Sequence, residues 1–562
     1  MWIKIGYSLR MNTRGPLRSV SARTARAAQR ARTRAAFRVG ASLLAAATAA
    51  LVAAVPSASA TVLPANKPAA DRTWADGAWA DGATGTQRYL DRVRDNPERL
   101  RDFLRPMPKG GDLHTHLSGA VPAEALIRFA ADDGLCIDAT TFTAVAAPCA
   151  AGTRPARDAV SDHDFRQSVI RAWTMEDFKE SATESGHDHF FATFGKFKAV
   201  TGSHRGRLVA EVAKVAAENH QDYVEPLFTP QGGALWDLGA DVKWSPDFAA
   251  VRASLLADGK LSRILGDAKA ETDRELAEER DVLGCGTADP QRACGVQVRF
   301  DFQVGRAADP QYVFTQLLAG FEMAEQDPRY VGVNLVQAED APIALRDYRL
   351  QMRMIKYLRS VYGKAHVTLH AGELTSKVAP REDLRFHVRD AIETAGAERI
   401  GHGVDIMSED RPQELLRTMA RRHIAVEVPL TSNCQILEVC GDDHPLRRYL
   451  AAGVPVALST DDQGVSRTDI TLEYARAVTD HHLSYRQLRD SARTSLEHAF
   501  IQGRSLWRAV GDHRPARACA TSDPRTGRVT ASCRALLNAS PKASLQWRYE
   551  VERAEFEASH QA

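Results

Sequence analysis

Eight short runs dense in Val, Ile, Leu and Phe, most of them separated by longer amphipathic stretches, constrain this chain more than any other feature. They are DLHTH (112–116), YVEPLFT (223–229), VQVRFDFQV (296–304), YVGVNLVQ (330–337), HVTLHAGE (366–373), RIGHGVD (399–405), IAVEVPL (424–430) and VPVALSTDD (454–462). Helical patterns such as 345–361 and 412–422 lie between them. Strand–helix alternation implies parallel strands joined by crossovers, and eight such units close into a barrel. An open doubly wound sheet is the alternative, but no GxGxxG follows the first run, which removes the commonest signature of that architecture. The expected fold is α/β, a (β/α)8 TIM barrel.

The flanks and insertions divide the remainder. Residues 1–60 read as a signal peptide, and 61–105 as a linker followed by a helical extension, with one or two short surface helices over 86–105. Residues 106–510 hold the barrel, interrupted by an insertion at about 131–180, and 511–562 form a C-terminal disulfide loop and helix. The leader reading rests on Arg23, Arg26, Arg30, Arg32, Arg34 and Arg38, followed by a small apolar run (40–55), Pro56 and Ala58-Ser59-Ala60. Small residues at the two positions a signal peptidase reads predict cleavage after Ala60 and a secreted protein. A membrane anchor is the alternative, but the run falls short of the ~20 residues a span needs. Met11 is a second candidate start. No other segment is apolar enough to span a bilayer, so no membrane association is expected once the leader is removed.

Composition narrows the function. The 562 residues are 44% hydrophobic and 26% charged, a globular balance that excludes wholesale disorder, a collagen-like fibre and a multi-span membrane protein. The formal charge of +2 hides an asymmetry: ten Lys/Arg and no acid lie within residues 1–60, which leaves 63 basic against 71 acidic residues beyond. That body lacks the basic footprint of a nucleic-acid binder. The eight cysteines fall into four sequence-local pairs, 136 with 149, 285 with 294, 434 with 440 and 519 with 533. In an exported chain an even count reads as disulfides; neighbour pairing is favoured, although 105 connectivities exist for eight cysteines. No CxxC or zinc-finger spacing is present, so a structural thiolate site is not expected.

Polar residues gather where the runs end, which is where a barrel places its active site. His114 and His116 are two apart on one strand, so both rings point to the same side. His370 ends the fifth run with Glu373 three residues on, His402 sits between Gly401 and Gly403, and Asp461 and Asp462 end the eighth. Histidines and a carboxylate converging from several strands suit zinc. Zinc would lower the pKa of a bound water from ~15.7 to about 7, and Glu373 is placed to shuttle protons. Each element alone has a plainer reading: two strand histidines without metal, a helix N-cap for the Asp pair, a turn for HAGE. Their concurrence in barrel order carries the case. Glu225 reads equally as a buried structural carboxylate.

MPKGGDLHTHLSGA (107–120), TLHAGE (368–373), RIGHGVD (399–405), VEVPLTSN (426–433) and STDDQGV (459–465) together resemble the adenosine deaminase family over about 360 residues. The MPKGG opening and the leader resemble its secreted, growth-factor-related branch. The resemblance implies an amidohydrolase-type barrel with one zinc ion per chain on His114, His116, His370 and Asp461. It also implies Glu373 as the acid that protonates purine ring nitrogen 1 while hydroxide attacks carbon 6. His402 would orient and help deprotonate the water, and Asp462 would bond ring nitrogen 7. The implied reaction converts adenosine or 2′-deoxyadenosine to inosine or 2′-deoxyinosine and ammonia. The alternatives are a related aminopurine or modified-nucleoside deaminase, and an extracellular binding or signalling protein on a deaminase fold. Two departures bear on the pocket: Ser118 stands where the family has Asp near the ribose, and Gln337, or Ala338 on a shifted alignment, stands where it has Gly. HFFATFGKF (189–197) resembles the family's aromatic helix over the pocket mouth, which would place Phe190, Phe191 and Phe194 near the ribose; core packing is the equal alternative. The branch also implies a homodimer through residues 86–105.

Overall fold

The computed structural model describes residues 82–560; the expected leader, its expected cleavage site and most of the expected linker lie outside this range. Eight parallel strands form in the expected order: β1 (Gly110–His116), β2 (Gln221–Phe228), β3 (Phe300–Gly305), β4 (Tyr330–Val336), β5 (His366–Ala371), β6 (Arg399–His402), β7 (Ala425–Val428) and β8 (Val456–Leu458). Each pairs with its sequence neighbour. The run at 296–304 is broken at Arg299, so a two-residue piece, Gln297–Val298, pairs with β2 ahead of β3. The first and last strands meet through a single parallel bridge between Thr115 and Asp461. There Asp461 N–H donates to His114 O at 2.9 Å and His116 N–H donates to Asp461 O at 3.1 Å. The result is the (β/α)8 barrel that the alternating pattern demands.

Strand interiors are buried on both faces because helices cover the outside and side chains fill the inside. Helices Pro310–Gln326 and Pro342–Val361, each with proline in its first turn, lay Phe314, Leu317, Phe321, Met352 and Ile355 against the sheet. Among the described residues no helix is long and apolar enough to cross a membrane.

The barrel also buries a charge network. Arg399, at the start of β6 and fully buried, donates to Glu225 at 2.6 Å and to Asp301 at 3.2 Å; it also donates to Glu427 and lies 3.6 Å under the Phe500 ring. Tyr223 OH donates to Glu225 at 2.5 Å, which makes Glu225 a structural carboxylate. Arg399→Met would leave three buried carboxylates without their cation. The expected loss is about 3–5 kcal/mol of stability, read as a lower urea midpoint.

Helices Ala83–Val93 and Pro97–Leu104 occupy the 86–105 region. After β1 come a three-stranded antiparallel sheet (Cys136–Asp138, Ala144–Val145, Thr153–Pro155) and helix His163–Trp173. The C-terminal segment is a hairpin, Trp507–Ala509 with Asp512–Pro515, followed by helices Ala531–Ala539 and Pro541–Ser559. Disulfides join Cys136 to Cys149, Cys285 to Cys294, Cys434 to Cys440 and Cys519 to Cys533, the neighbour pairing.

Candidate metal centre and purine pocket

The C-terminal strand ends bring the sequence-selected residues together. A cavity of about 420 Å³ is lined by His116, Ser118, Phe190, Phe191, Phe194, Gln337, His370, Glu373, His402, Asp461 and Asp462. His114 lies beneath, its ring 4.4 Å from that of His370. Gly401 makes this possible, since a Cβ there would sit 2.5 Å from the His114 ring. Gly119 does the same for Asp462, whose carboxylate oxygen would lie 1.7 Å from an added Cβ. His402 (φ 66°), Asp461 (φ 58°) and Gln337 (φ 79°) adopt left-handed backbone. Such strain in non-glycine residues persists where surrounding structure over-determines it, typically around sites.

The imidazoles are oriented from behind. His114 Nδ1 lies 2.8 Å from Glu427, a carboxylate that can only accept, so Nδ1–H donates and Nε2 is the nitrogen that faces inward. Asn334 Oδ1 takes both the backbone N–H of His370, at 3.0 Å, and its Nδ1, at 2.9 Å, which turns His370 Nε2 inward as well. That Nε2 is 3.0 Å from His116 Nε2. Asp461 Oδ1 stands 3.2 Å from His116 Nε2 and 3.5 Å from His114 Nε2, while Ser432 Oγ–H donates to its other oxygen at 2.6 Å. Outward N–H groups on carboxylate or amide partners are the usual support for metal-binding histidines.

Titration agrees with a site built for a cation. Burial opposes protonation of His114, yet the Asp461 and Glu427 carboxylates hold its pKa up at about 10, so positive charge is favoured at this position. Asp461 is buried too, but the bonds from His114 and His116 keep it well below the ordinary carboxylate range. Burial and the surrounding histidines push His370 well below its usual value, leaving a neutral donor. Inward imidazole nitrogens, a neutral His370, an ionised carboxylate and a field that favours positive charge fit a single divalent ion of the zinc kind. His402 Nε2 lacks a partner, and His114, His370, His402 and Asp461 all offer atoms within 4.8 Å of one another. His116, with Asp461 and Asp462, makes a second such group, so with His116 there are five candidate donors of the expected kinds where four would serve.

Two further carboxyl groups border these donors, Asp462 beside His116 and Asp461, and Glu373 at 3.7 Å from His402 Nδ1. Burial, with the charges of Asp461 and Glu339 nearby, lifts Glu373 well above its ordinary range and so favours its protonated form. Asp462 is lifted for the same main reason, burial, and its Oδ1 has no partner. Glu339 was not selected from sequence, yet it fixes Glu373: its carboxylate accepts Glu373 N–H at 2.8 Å and Gly372 N–H at 3.2 Å, and His387 Nδ1 lies 2.6 Å away. Arg306 reaches Glu339 at 3.7 Å and donates to His370 O at 2.6 Å.

The pocket walls resolve the open sequence questions in part. On helix Gly186–Thr201, Phe190 is buried against Phe191 and Phe194, while those two are only half-buried; the helix serves core and cavity at once. Gln337 Oε1 accepts Ala307 N–H at 2.9 Å, which fastens its side chain along the wall. Gln303 and Ala307, unselected from sequence, complete that wall.

With a barrel of this topology and a His/Asp centre at its C-terminal mouth, the class is that of barrel hydrolases with a metal-suited site. The family description "Adenosine deaminase" matches residues 169–506, and this chain belongs to the adenosine deaminase family. Adenosine deaminase of Salmonella typhimurium (strain LT2) is 40% identical over 137 residues, covering 24% of this chain and 38% of that protein. The Escherichia coli O1:K1 enzyme is 39% identical over the same span, so the aligned segment is well under half the length of these relatives. Among solved structures, Arabidopsis ADAL complexed with IMP aligns with a TM-score of 0.46 at 20% identity, covering 71% of this chain and 94% of that one. An adenine deaminase from Arthrobacter aurescens aligns at 0.41 and 16%, covering 70% and 94%.

Proposed function

We propose that the chain is a zinc-dependent deaminase of purine nucleosides, converting adenosine or 2′-deoxyadenosine to inosine or 2′-deoxyinosine and ammonia. The observation that carries this reading is the buried Glu373 carboxyl, held in one cavity with a cluster of inward-facing histidines and Asp461 and biased by burial toward its protonated form. His114, His116, His370 and Asp461 would hold one ion, which supplies the Lewis acidity that makes water nucleophilic at neutral pH. Glu373 donates its proton to ring nitrogen 1, making carbon 6 electrophilic. Asp462, which burial biases toward its neutral form, donates to ring nitrogen 7, which can only accept. His402 holds the water on the face of carbon 6. Phe191 and Phe194 cover the sugar and exclude solvent.

Among the described residues no lysine or arginine lines the cavity. Phosphate recognition ordinarily uses such groups, so nucleosides are favoured over nucleotides. Ser118 and the fastened Gln337 motivate the second reading, a deaminase of modified nucleosides or aminopurines. Ultraviolet-monitored turnover of adenosine, 2′-deoxyadenosine, adenine, AMP and N6-substituted adenosines, with and without a chelator, separates them. Adenosine is expected to turn over and chelator to abolish it; turnover of AMP alone or insensitivity to chelator would overturn the reading. The same reading places the mature protein outside the cell, cleaved after Ala60. Four disulfides support that compartment, and pairing through the helices of 86–105 remains part of the proposal.

A further inference from the structure

Behind His402 lies a chain of hydrogen bonds whose direction is set far from the cavity. Asn433, in helix Leu430–Leu437, stands between two rings: one end of its amide is 2.8 Å from His402 Nδ1 and the other 2.9 Å from His444 Nε2. His444 Nδ1 in turn accepts the backbone N–H of Leu446 at 3.1 Å, the first residue of helix Leu446–Ala452. A backbone N–H can only donate, so His444 Nδ1 carries a lone pair. A neutral imidazole has one proton, and here it must be on Nε2. Burial, then the neighbouring His481 and His402, keeps His444 neutral by lowering its pKa to about 3.

Proton counting then runs inward. His444 Nε2–H must meet an acceptor, but with Asn433 Nδ2 on its side and Oδ1 toward His402, two donors would face each other. The amide's oxygen and nitrogen ends have the same shape, and only the hydrogen-bond network distinguishes them. A half-turn about χ2 removes the conflict, placing Oδ1 on His444 and Nδ2 on His402.

We propose that Leu446 N–H, His444 and Asn433 fix His402 as the tautomer protonated on Nε2, with Nδ1 accepting from the Asn433 amide. The reading of this pocket as a deaminase site is assumed. Nε2–H then points toward Asp461 Oδ2, 4.0 Å away, the favourable sense for a donor near a carboxylate. Two consequences follow. His402 cannot coordinate an ion through Nε2, which settles the crowding of five donors in favour of His114, His116, His370 and Asp461. In the resting state it donates to the water oxygen and so orients it, rather than removing its proton. Asn433 and His444 are positioning residues that act through His402.

The test is the position of the His402 proton in the zinc-loaded full chain carrying 15N-histidine, read by long-range 1H–15N correlation and assigned by loss of the signal in His402→Asn. Wild type is expected to show protonated Nε2 and bare Nδ1; the reverse pattern, or coordination shifts at Nε2, overturns the proposal. Asn433→Asp offers only acceptors to both rings, so His402 Nδ1 should become protonated. Its kcat should fall by about 10–100-fold with metal content and KM unchanged. An unchanged proton position in that variant also overturns the proposal. The two readings fail separately: a protein inactive on every purine sinks the deaminase assignment with the tautomer still measurable, whereas an active protein with Nδ1–H on His402 sinks only the tautomer.

Discussion

Asp461→Ala is expected to strip bound metal and turnover from the protein together. Asp461 is the ionised carboxylate of the donor cluster, 3.2 Å from His116 Nε2 and 3.5 Å from His114 Nε2, and without it the histidines must bind a divalent ion unaided by a negative charge. Loss of an outer-shell partner typically costs roughly 10–100-fold in affinity or activity; losing a ligand should exceed that. Elemental analysis should show metal falling from one ion per chain toward none. The hydrogen bonds that join β8 to β1 here use Asp461 backbone atoms, so the variant keeps the closing bonds and remains a fair test. Full metal occupancy in Asp461→Ala, or full activity with the metal gone, would contradict the assignment.

Glu373→Gln should separate chemistry from binding. The amide can donate a hydrogen bond but cannot surrender a proton, and a positioned general acid contributes typically about 10²–10⁴-fold. The expected kcat falls by that factor with metal content retained and KM little changed. Glu339 holds the backbone N–H groups of Gly372 and Glu373, so the new side chain should occupy the same place. A loss smaller than about tenfold, below the range for general acids, would remove Glu373 from that role. If the protein has a biological effect that survives in Glu373→Gln without turnover, its purpose is binding or signalling.

Most of the barrel was legible because strand–helix alternation is a local pattern, and the cluster was legible because its members sit at strand ends. What supports them was not. Glu427, Asn334, Ser432 and Glu339 act on residues 29 to 313 positions away, and sequence spacing carries no trace of such pairs. One signal was present: a charged residue inside an apolar strand, as in VEV (426–428), FDF (300–302) and YVEP (223–226). In a strand buried on both faces each such charge needs a partner, and Arg399 answers all three. The three-stranded sheet within 136–155 escaped because its strands are two or three residues long, too short for alternation to register. Gln337 stands where the family has Gly, and its φ of 79° and its bond to Ala307 N–H are a conformation no pattern of residue types reveals.

The bridge between Thr115 and Asp461 gives the seam of the cylinder to the same residue that is proposed to hold the ion. An occupant gripping the first, fifth and eighth staves would act as a rivet across a join that the backbone fastens with one bridge. Occupancy and resistance to heat then become a single variable, rising with the logarithm of free metal once saturation is passed, and a starved molecule should part first along that line.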